Sequence, residues 1–148
     1  MATVQQAKEI KVLHPPETQV AKQDIPQFFG VSAGSAGATG VSMNVTAFPP
    51  GGKSNTHMHR DFETAIYGVD GDIALFYGER LEHVVRAGKG DFIFIPPDLP
   101  HKAYNLSTQR GATFITARND ANEQENVVLR PDADDGTPDE RVRELMVD

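Results

Sequence analysis

The sequence predicts an all-β protein of the barrel or sandwich type. Its apolar runs are short and rich in Val, Ile, Phe and Tyr, and 13 glycines and 10 prolines separate them at short intervals. Only the two ends of the chain carry helical or irregular patterns. A chain of 148 residues is expected to form one domain around one core. A closed barrel or jelly roll would also remove the free edges that so many strands create.

Nine segments are predicted as strands because each is a brief apolar or alternating run between turn residues. They cover residues 28–32, 41–48, 63–69, 73–77, 83–86, 92–95, 101–105, 112–117 and 127–129. Asp70-Gly71 predicts a two-residue hairpin between its flanking strands, since Asp-Gly favours a type I′ turn. Gly88-Lys89-Gly90 predicts a tight turn, and the glycine-rich segment 34–40 predicts a loop.

The chain divides into three predicted regions: an N-terminal arm over residues 1–25, a barrel domain over 26–130 and an acidic C-terminal tail over 131–148. Seven acids and two arginines give the tail a net charge of −5, out of −7 for the whole chain. Because runs of like charge are usually solvated, we expect the tail to face solvent. Val142, Leu145 and Met146 recur at helical spacing, which predicts a short helix over 138–147.

Composition excludes several classes of function. The 14 lysines and arginines do not cluster, which argues against a nucleic-acid partner. No apolar run has the ~18 residues of a membrane span, and the N-terminus lacks the pattern of a signal peptide, so we expect a cytoplasmic protein without a membrane partner. The absence of cysteine excludes disulfides, zinc fingers, iron–sulfur clusters and cysteine nucleophiles. Any metal must be held by nitrogen and oxygen.

Histidines carry the chemistry that the pattern predicts. His57 and His59 are two residues apart, so both side chains would lie on one face of a strand and could share an ion. Glu63 follows at an even offset and could add an oxygen ligand. Asp61 has the same parity and competes with Glu63 if the strand runs unbroken. A pair of surface histidines is the alternative interpretation, and His14 and His83 are expected to be ordinary solvent-facing residues.

A second segment, where a GDFIFIPPDLPH sequence ends on His101, completes a resemblance to the cupin superfamily, in particular to its small single-domain bacterial members of the type-2 group. The first family motif, G(X)5HXH(X)3,4E(X)6G, is met by Gly51, His57, His59 and Glu63, with its last glycine displaced by one to Gly71. The second, G(X)5PXG(X)2H(X)3N, is met by Gly90, Pro96, His101 and Asn105. Asp98 stands where the family has glycine, and Asp tolerates positive φ better than most residues.

The resemblance implies a cupin-type jelly-roll barrel whose mouth holds a divalent transition metal on His57, His59, Glu63 and His101. Three imidazoles and a carboxylate suit Fe(II) or Mn(II), and also Ni(II), Cu(II) or Zn(II). Four ligands leave two positions of an octahedral ion open for substrate or O2. In the family, the position of Asn105 supports structure. Tyr67 shares the parity of Glu63, so it is a candidate proton donor in the pocket, with a packed barrel tyrosine as the alternative.

Three functions are compatible with this resemblance. The first is a metal-dependent, dioxygenase-like enzyme that acts on a small oxygen-bearing organic substrate. The second is a metal-dependent sugar isomerase, epimerase or lyase, in which Lys53, Arg60 or Lys102 could meet a phosphate. The third is a non-catalytic cupin that binds a small molecule. A homodimer is also expected, both from the resemblance and because the strand over 92–95 is apolar on both faces.

Overall fold

The computed structural model describes residues 8–14, 19–122, 124 and 126–148, and it confirms the all-β class. Within these residues the chain forms eleven strands and two short α-helices, α1 (Ala33–Ala36) and α2 (Thr137–Arg141). The strands are β1 (Gln19–Val20), β2 (Pro26–Val31), β3 (Ser42–Phe48), β4 (His57–His59), β5 (Thr64–Asp70), β6 (Asp72–Tyr77), β7 (His83–Gly88), β8 (Phe92–Ile95), β9 (His101–Asn105), β10 (Ala112–Arg118) and β11 (Val127–Leu129).

The strands form two antiparallel sheets. Sheet A has six strands in the order β1-β2-β3-β10-β5-β8, and sheet B has five in the order β11-β4-β9-β6-β7. Alternate residues of both sheets point inward and build a core between them, in which Phe48 and Phe114 meet edge to face at 6.3 Å. Ile73 and Leu75 of β6 complete this core from sheet B. The architecture is the predicted jelly-roll barrel.

The predicted strands all form, with ends that differ by at most two residues from the prediction. The Asp70-Gly71 hairpin is wrong, because β5 belongs to sheet A and β6 to sheet B, so these residues turn a corner between the sheets. Gly71 alone has positive φ there, and a Cβ on it would lie 2.6 Å from that of Ala112. The predicted loop over 34–40 contains part of α1, which Ser32 caps through its hydroxyl.

The C-terminal segment packs on the barrel instead of extending into solvent. It continues from α2 into a 3-10 turn, Val142–Leu145, and Val142 packs with Phe76 and Leu106 on the outer face of sheet B. The predicted helix therefore forms over the expected region, in two pieces. Its acids are held by a lysine of the barrel, since the buried ammonium of Lys102 lies 2.7 Å from Asp134.

Among the described residues, no helix has the length and apolar character needed to cross a membrane.

Candidate metal centre

Two neighbouring strands of sheet B bring three histidines together. His57 and His59 lie on the inner face of β4, and the antiparallel register places His57 directly opposite His101 of β9. One nitrogen from each of the three buried rings lies within 4.8 Å of the other two. The ring centroids of His57 and His101 are 4.2 Å apart, and those of His59 and His101 are 4.7 Å apart. These distances let one ion contact all three rings.

Hydrogen bonds to the backbone fix which nitrogen of the His57 and His101 rings can bind a metal. His57 Nδ1 lies 2.8 Å from the carbonyl oxygen of Asn55, two residues earlier. His101 repeats this arrangement, with its Nδ1 2.9 Å from the carbonyl oxygen of Leu99. A carbonyl can only accept, so Nδ1 of both rings donates its proton and Nε2 keeps a free lone pair. Metal-binding histidines are held by partners of this kind.

The third ring is held by a side chain. His59 Nδ1 lies 2.8 Å from the hydroxyl oxygen of Thr64, and the ring stacks on that of Phe62 with centroids 4.8 Å apart. With the Thr64 oxygen accepting from Nδ1–H, Nε2 of this ring also keeps its lone pair, so Nε2 of all three rings can face an ion. The fixed rings need little rearrangement on binding.

Burial keeps the three imidazoles neutral at physiological pH. Desolvation lowers the pKa of His57 and of His59 far below the usual value, and the charge of neighbouring histidines lowers both further. Desolvation also lowers the pKa of His101, to about 4. A neutral ring offers the lone pair that a metal requires. The donor set, three neutral nitrogens within reach of one point, therefore fits a divalent transition metal.

Glu63, the predicted fourth ligand, is not brought to the histidines. A turn at Arg60-Asp61, where Asp61 has φ of 60°, reverses the side-chain alternation between β4 and β5. Phe62 and Thr64 are consequently buried, and Glu63 is exposed on the other side of the chain. The competing candidate Asp61 is also exposed. The cluster within the described part of the chain consists of His57, His59 and His101.

Tyr67 lies on the opposite face of β5 from the cavity. The reversed alternation turns it outward, where its ring is partly exposed and lies 4.9 Å from that of Phe92. The prediction that it reaches the pocket is therefore wrong. His14 and His83 are exposed, as expected. Lys102 has the opposite orientation to His101, as its parity predicts.

The turns that present the ligands follow the sequence expectations more closely. Asp98 has φ of 60°, so it adopts the conformation for which the family uses glycine. Its backbone N–H donates to the carbonyl of His59, and its carboxylate accepts from the N–H of Asp61. Asn105 donates to the carbonyls of Pro49 and Arg110, which confirms its structural role. The bonds of Asp98 join the end of β4 to the turn before β9, and those of Asn105 join the end of β9 to the segments at Pro49 and Arg110.

Arg118 is a buried cation in the same cavity that sequence reasoning missed. It ends β10, lines the cavity together with the three histidines, and its guanidinium lies 5.6 Å from the centre of the Phe62 ring. Burial lowers its pKa to about 10, partly offset by the charge of Asp120, so it stays protonated at neutral pH. Strand alternation could have revealed it, because Phe114, Thr116 and Arg118 share the inner face.

The cavity is small, with a volume of about 50 Å³. Its lining combines apolar core side chains, such as Ile73 and Leu75, with polar groups, among them Gln23, Gln27, Thr46 and Thr116. The Oε1 atom of Gln23 is buried and receives no hydrogen bond from any residue that the structure describes. A buried amide oxygen of this kind is expected to accept from a bound molecule.

The two facing sheets and the histidine cluster between them define a β-barrel with a site of the metal-binding type. The family model described as "Cupin domain" matches residues 44–117. The chain therefore belongs to the cupin family, in agreement with its two motifs. A comparison with curated proteins finds no match.

Solved structures share this fold. The polyketide cyclase RemF from Streptomyces resistomycificus is 20% identical, with a TM-score of 0.64, over 82% of this chain and 85% of its own. An oxalate decarboxylase from Lactobacillus farciminis, in complex with formate, is 15% identical, with a TM-score of 0.64, over 76% of this chain and 33% of its own. Peruvianin-I, a cysteine peptidase from Thevetia peruviana latex, is 26% identical, with a TM-score of 0.62, over 80% of this chain and 74% of its own. The present chain has no cysteine, so it cannot share a cysteine nucleophile.

Proposed function

We propose that this cupin is a metal-dependent enzyme of the oxygenase type that acts on a small, anionic, oxygen-bearing organic molecule. The observation that carries this proposal is the placement of a buried arginine and three metal-competent histidines around one small cavity. A divalent ion such as Fe(II) or Mn(II), held by His57, His59 and His101, would supply Lewis acidity and three exchangeable coordination positions.

The charge of the site supports an anionic substrate. Three neutral histidines cancel none of the charge of a divalent ion, and Arg118 adds a further positive charge in a region shielded from water. A carboxylate or enolate that enters this cavity would be stabilised by both cations, because charge-assisted hydrogen bonds are strong where water is excluded. Arg118 would bind and orient one oxygen pair of the substrate through its planar guanidinium.

The buried side chain of Gln23 indicates that the substrate also carries a hydrogen-bond donor. Its buried Oε1 can only accept a hydrogen bond, so it favours a ligand that carries a hydroxyl or N–H group. A ligand with an acid group for Arg118 and a hydroxyl or enol for Gln23 satisfies both side chains. Small hydroxy acids and the enol forms of keto acids belong to this class.

The volume of the cavity sets the size of the substrate. A cavity of about 50 Å³ holds about three to five water-sized groups, whereas a cavity known to accept benzene measures about 150 Å³. Catechols and sugar phosphates, which have eight or more non-hydrogen atoms, are therefore disfavoured, and acids of two or three carbons are favoured. Two of the three phosphate contacts considered for an isomerase are engaged elsewhere, because Lys53 and Lys102 pair with Asp139 on the outer face of sheet B, and the third, Arg60, is exposed.

A lyase that acts on the same acids is the second candidate. The structural neighbour named as an oxalate decarboxylase favours it, since oxalate is a two-carbon acid of the size that the cavity accepts. An oxygenase and a lyase differ in their need for O2. That difference separates the two candidates experimentally.

The test loads the purified protein with Fe(II) or Mn(II) and measures oxygen uptake and product formation with a panel of two- and three-carbon hydroxy and keto acids. The proposal predicts oxygen-dependent turnover that Arg118→Gln weakens through a higher KM, while the exposed control Arg86→Gln leaves it unchanged. Turnover without oxygen identifies the lyase instead. Binding of the acids without any product identifies a non-catalytic binder and refutes both enzyme proposals.

A further inference from the structure

A β-bulge interrupts sheet B directly before the first metal-competent histidine. The segment that leads into β4 pairs with β9 at Lys53 and Tyr104, and again at His57 and His101. Three residues separate these two pairs on the first segment and two separate them on β9, so the first segment carries one extra residue. Bulges increase the local twist, occur often beside active sites and change the direction in which a side chain points. The direction of the His57 ring therefore depends on the shape of this bulge.

Backbone hydrogen bonds hold part of the bulge. The N–H of Asn55 donates to the carbonyl of Gln23 at 2.6 Å, and the carbonyl of Asn55 accepts from Nδ1 of His57 at 2.8 Å. The carbonyl of Thr56 accepts from the N–H of Arg130, also at 2.8 Å. None of these three bonds joins the bulge to β9, the strand that carries the other ligand of the pair.

One carboxylate on the outer face of sheet B makes that connection. Oδ2 of Asp134 accepts from the hydroxyl of Thr56 at 3.0 Å and from the ammonium of Lys102 at 2.7 Å. Thr56 immediately precedes His57, and Lys102 immediately follows His101. Thr56 is buried, and the side chains of Lys102 and Asp134 are 8% and 16% exposed. Hydrogen bonds to a charged group are strong where water is largely excluded, so this carboxylate clamps the bulge to β9.

The carboxylate is itself held in place by the C-terminal segment. Its second oxygen, Oδ1 of Asp134, accepts from the N–H of Gly136 at 2.9 Å. Ala133, directly before it, is buried, and Val142 further along packs on the barrel. Asp134 lies outside residues 44–117, the range that matches the family model. The segment that follows the barrel therefore supplies a fixed anchor for two residues that adjoin metal-competent histidines.

We propose that Asp134 is a positioning residue for the metal centre. From outside the barrel it fixes the bulge against β9, and so keeps the rings of His57 and His101, whose centroids are 4.2 Å apart, in place to share an ion. A ligand set has to be held within about 0.5 Å of its working geometry, and partners beyond the ligands determine whether it is. This inference rests on the proposed metal centre. It gives the acidic C-terminal segment a role in metal binding in addition to its packing.

The test compares Co(II) binding by the full chain and by three variants. The Kd of Co(II) is measured by competition with a chelating dye, and the visible absorption of the Co(II)-loaded protein reports the geometry of the ligands. Asp134→Ala removes the carboxylate, while Lys102 keeps its contact with Asp139. Thr56→Val removes the hydroxyl and leaves the ion pair of Asp134 with Lys102 intact. Asp139→Asn is the matched control, because it neutralises the other acid that holds Lys102.

We expect Asp134→Ala to raise the Kd of Co(II) about tenfold and Thr56→Val to raise it about threefold, at the lower end of the losses seen when partners of metal ligands are removed. Both variants should also shift the absorption bands of bound Co(II). Asp139→Asn should lower the thermal stability but change the Kd by less than about twofold, because the bulge keeps its bond to Asp134.

Wild-type Co(II) binding in either Asp134→Ala or Thr56→Val overturns the proposal. Equal weakening in Asp139→Asn also overturns it, since a general loosening of the C-terminal segment then explains the effect. Should Asp134→Ala fail to fold, Thr56→Val decides the outcome, because it leaves the charges of the segment in place. A wild-type chain that binds no Co(II) refutes the metal centre itself, and this inference with it.

Discussion

The variant Lys102→Met tests whether a buried charge binds the acidic C-terminal segment to the barrel. The ammonium of Lys102 is buried and lies 2.7 Å from Asp134 and 3.3 Å from Asp139. Lys102→Met keeps the side-chain stem and removes the charge. Breaking one partner of a buried ion pair costs about 3–5 kcal/mol.

The remaining partners of the two carboxylates reduce this cost. Asp134 still accepts from the Thr56 hydroxyl and the Gly136 N–H, and Asp139 still accepts from Lys53 and Tyr104. We therefore expect Lys102→Met to lower the free energy of unfolding by about 2–3 kcal/mol, since neither acid is left unpaired. At about 3 °C per kcal/mol for a chain of this size, Tm should fall by about 6–9 °C.

The matched control is Lys53→Met, which removes an exposed lysine 2.9 Å from the same Asp139. Exposed pairs contribute at most about 1 kcal/mol, so its effect should be below about 3 °C. Urea unfolding and calorimetry measure both variants. Equal and small losses for the two lysines would refute the argument that burial makes Lys102 the stronger clamp.

Two further predictions concern acid stability and close packing. Burial raises the pKa of Asp139, but hydrogen bonds from Lys53 and Tyr104 and the charge of Lys102 outweigh burial and lower it to about 2, from an ordinary 3.8. The resulting stabilisation is complete above about pH 4 and is lost as the pH falls towards 2. Between pH 4 and 2, the free energy of unfolding in urea should therefore fall less steeply with pH for Asp139→Asn than for wild type. Equal slopes for the two proteins would contradict this. Gly68→Ala would place a Cβ 2.1 Å from the Gly88 carbonyl oxygen, whereas Gly40→Ala meets nothing within 4 Å. Gly68→Ala should therefore cost more than about 2 kcal/mol and Gly40→Ala less than about 0.5 kcal/mol in thermal unfolding, and similar losses would rule out the close approach.

The sequence carried most of the fold because strand patterning is local. Short apolar runs between glycines and prolines identified the strands, and the two motifs identified His57, His59 and His101. Sheet membership was harder to predict, since the Asp70-Gly71 pattern is the same for a hairpin and for a corner between sheets. Only the pairing of β5 with β10 and of β6 with β9 distinguishes them.

The site residues that differ from prediction share one cause. The turn at Arg60-Asp61 shifts the alternation by one residue, so Thr64 instead of Glu63 faces the histidines and Tyr67 faces outward. This shift depends on the positive φ of one residue, Asp61, and the hydrophobic pattern of the sequence carries no sign of it. Arg118 lies 55 residues after Glu63 in sequence, and only the pairing of β10 with β5 shows that it lies beside Thr64. The burial of Lys102 likewise depends on a distant segment folding back.

Metal content tests the central claim most directly. The protein is purified without chelators, loaded with Fe(II) or Mn(II), desalted and analysed for bound metal, beside His57→Ala, His101→Ala and Glu63→Ala. A site built on three histidines predicts about one ion per wild-type chain, loss of the ion in both histidine variants and full retention in Glu63→Ala, because Glu63 is exposed. Loss of metal in Glu63→Ala, or equal content in all four proteins, would contradict the account.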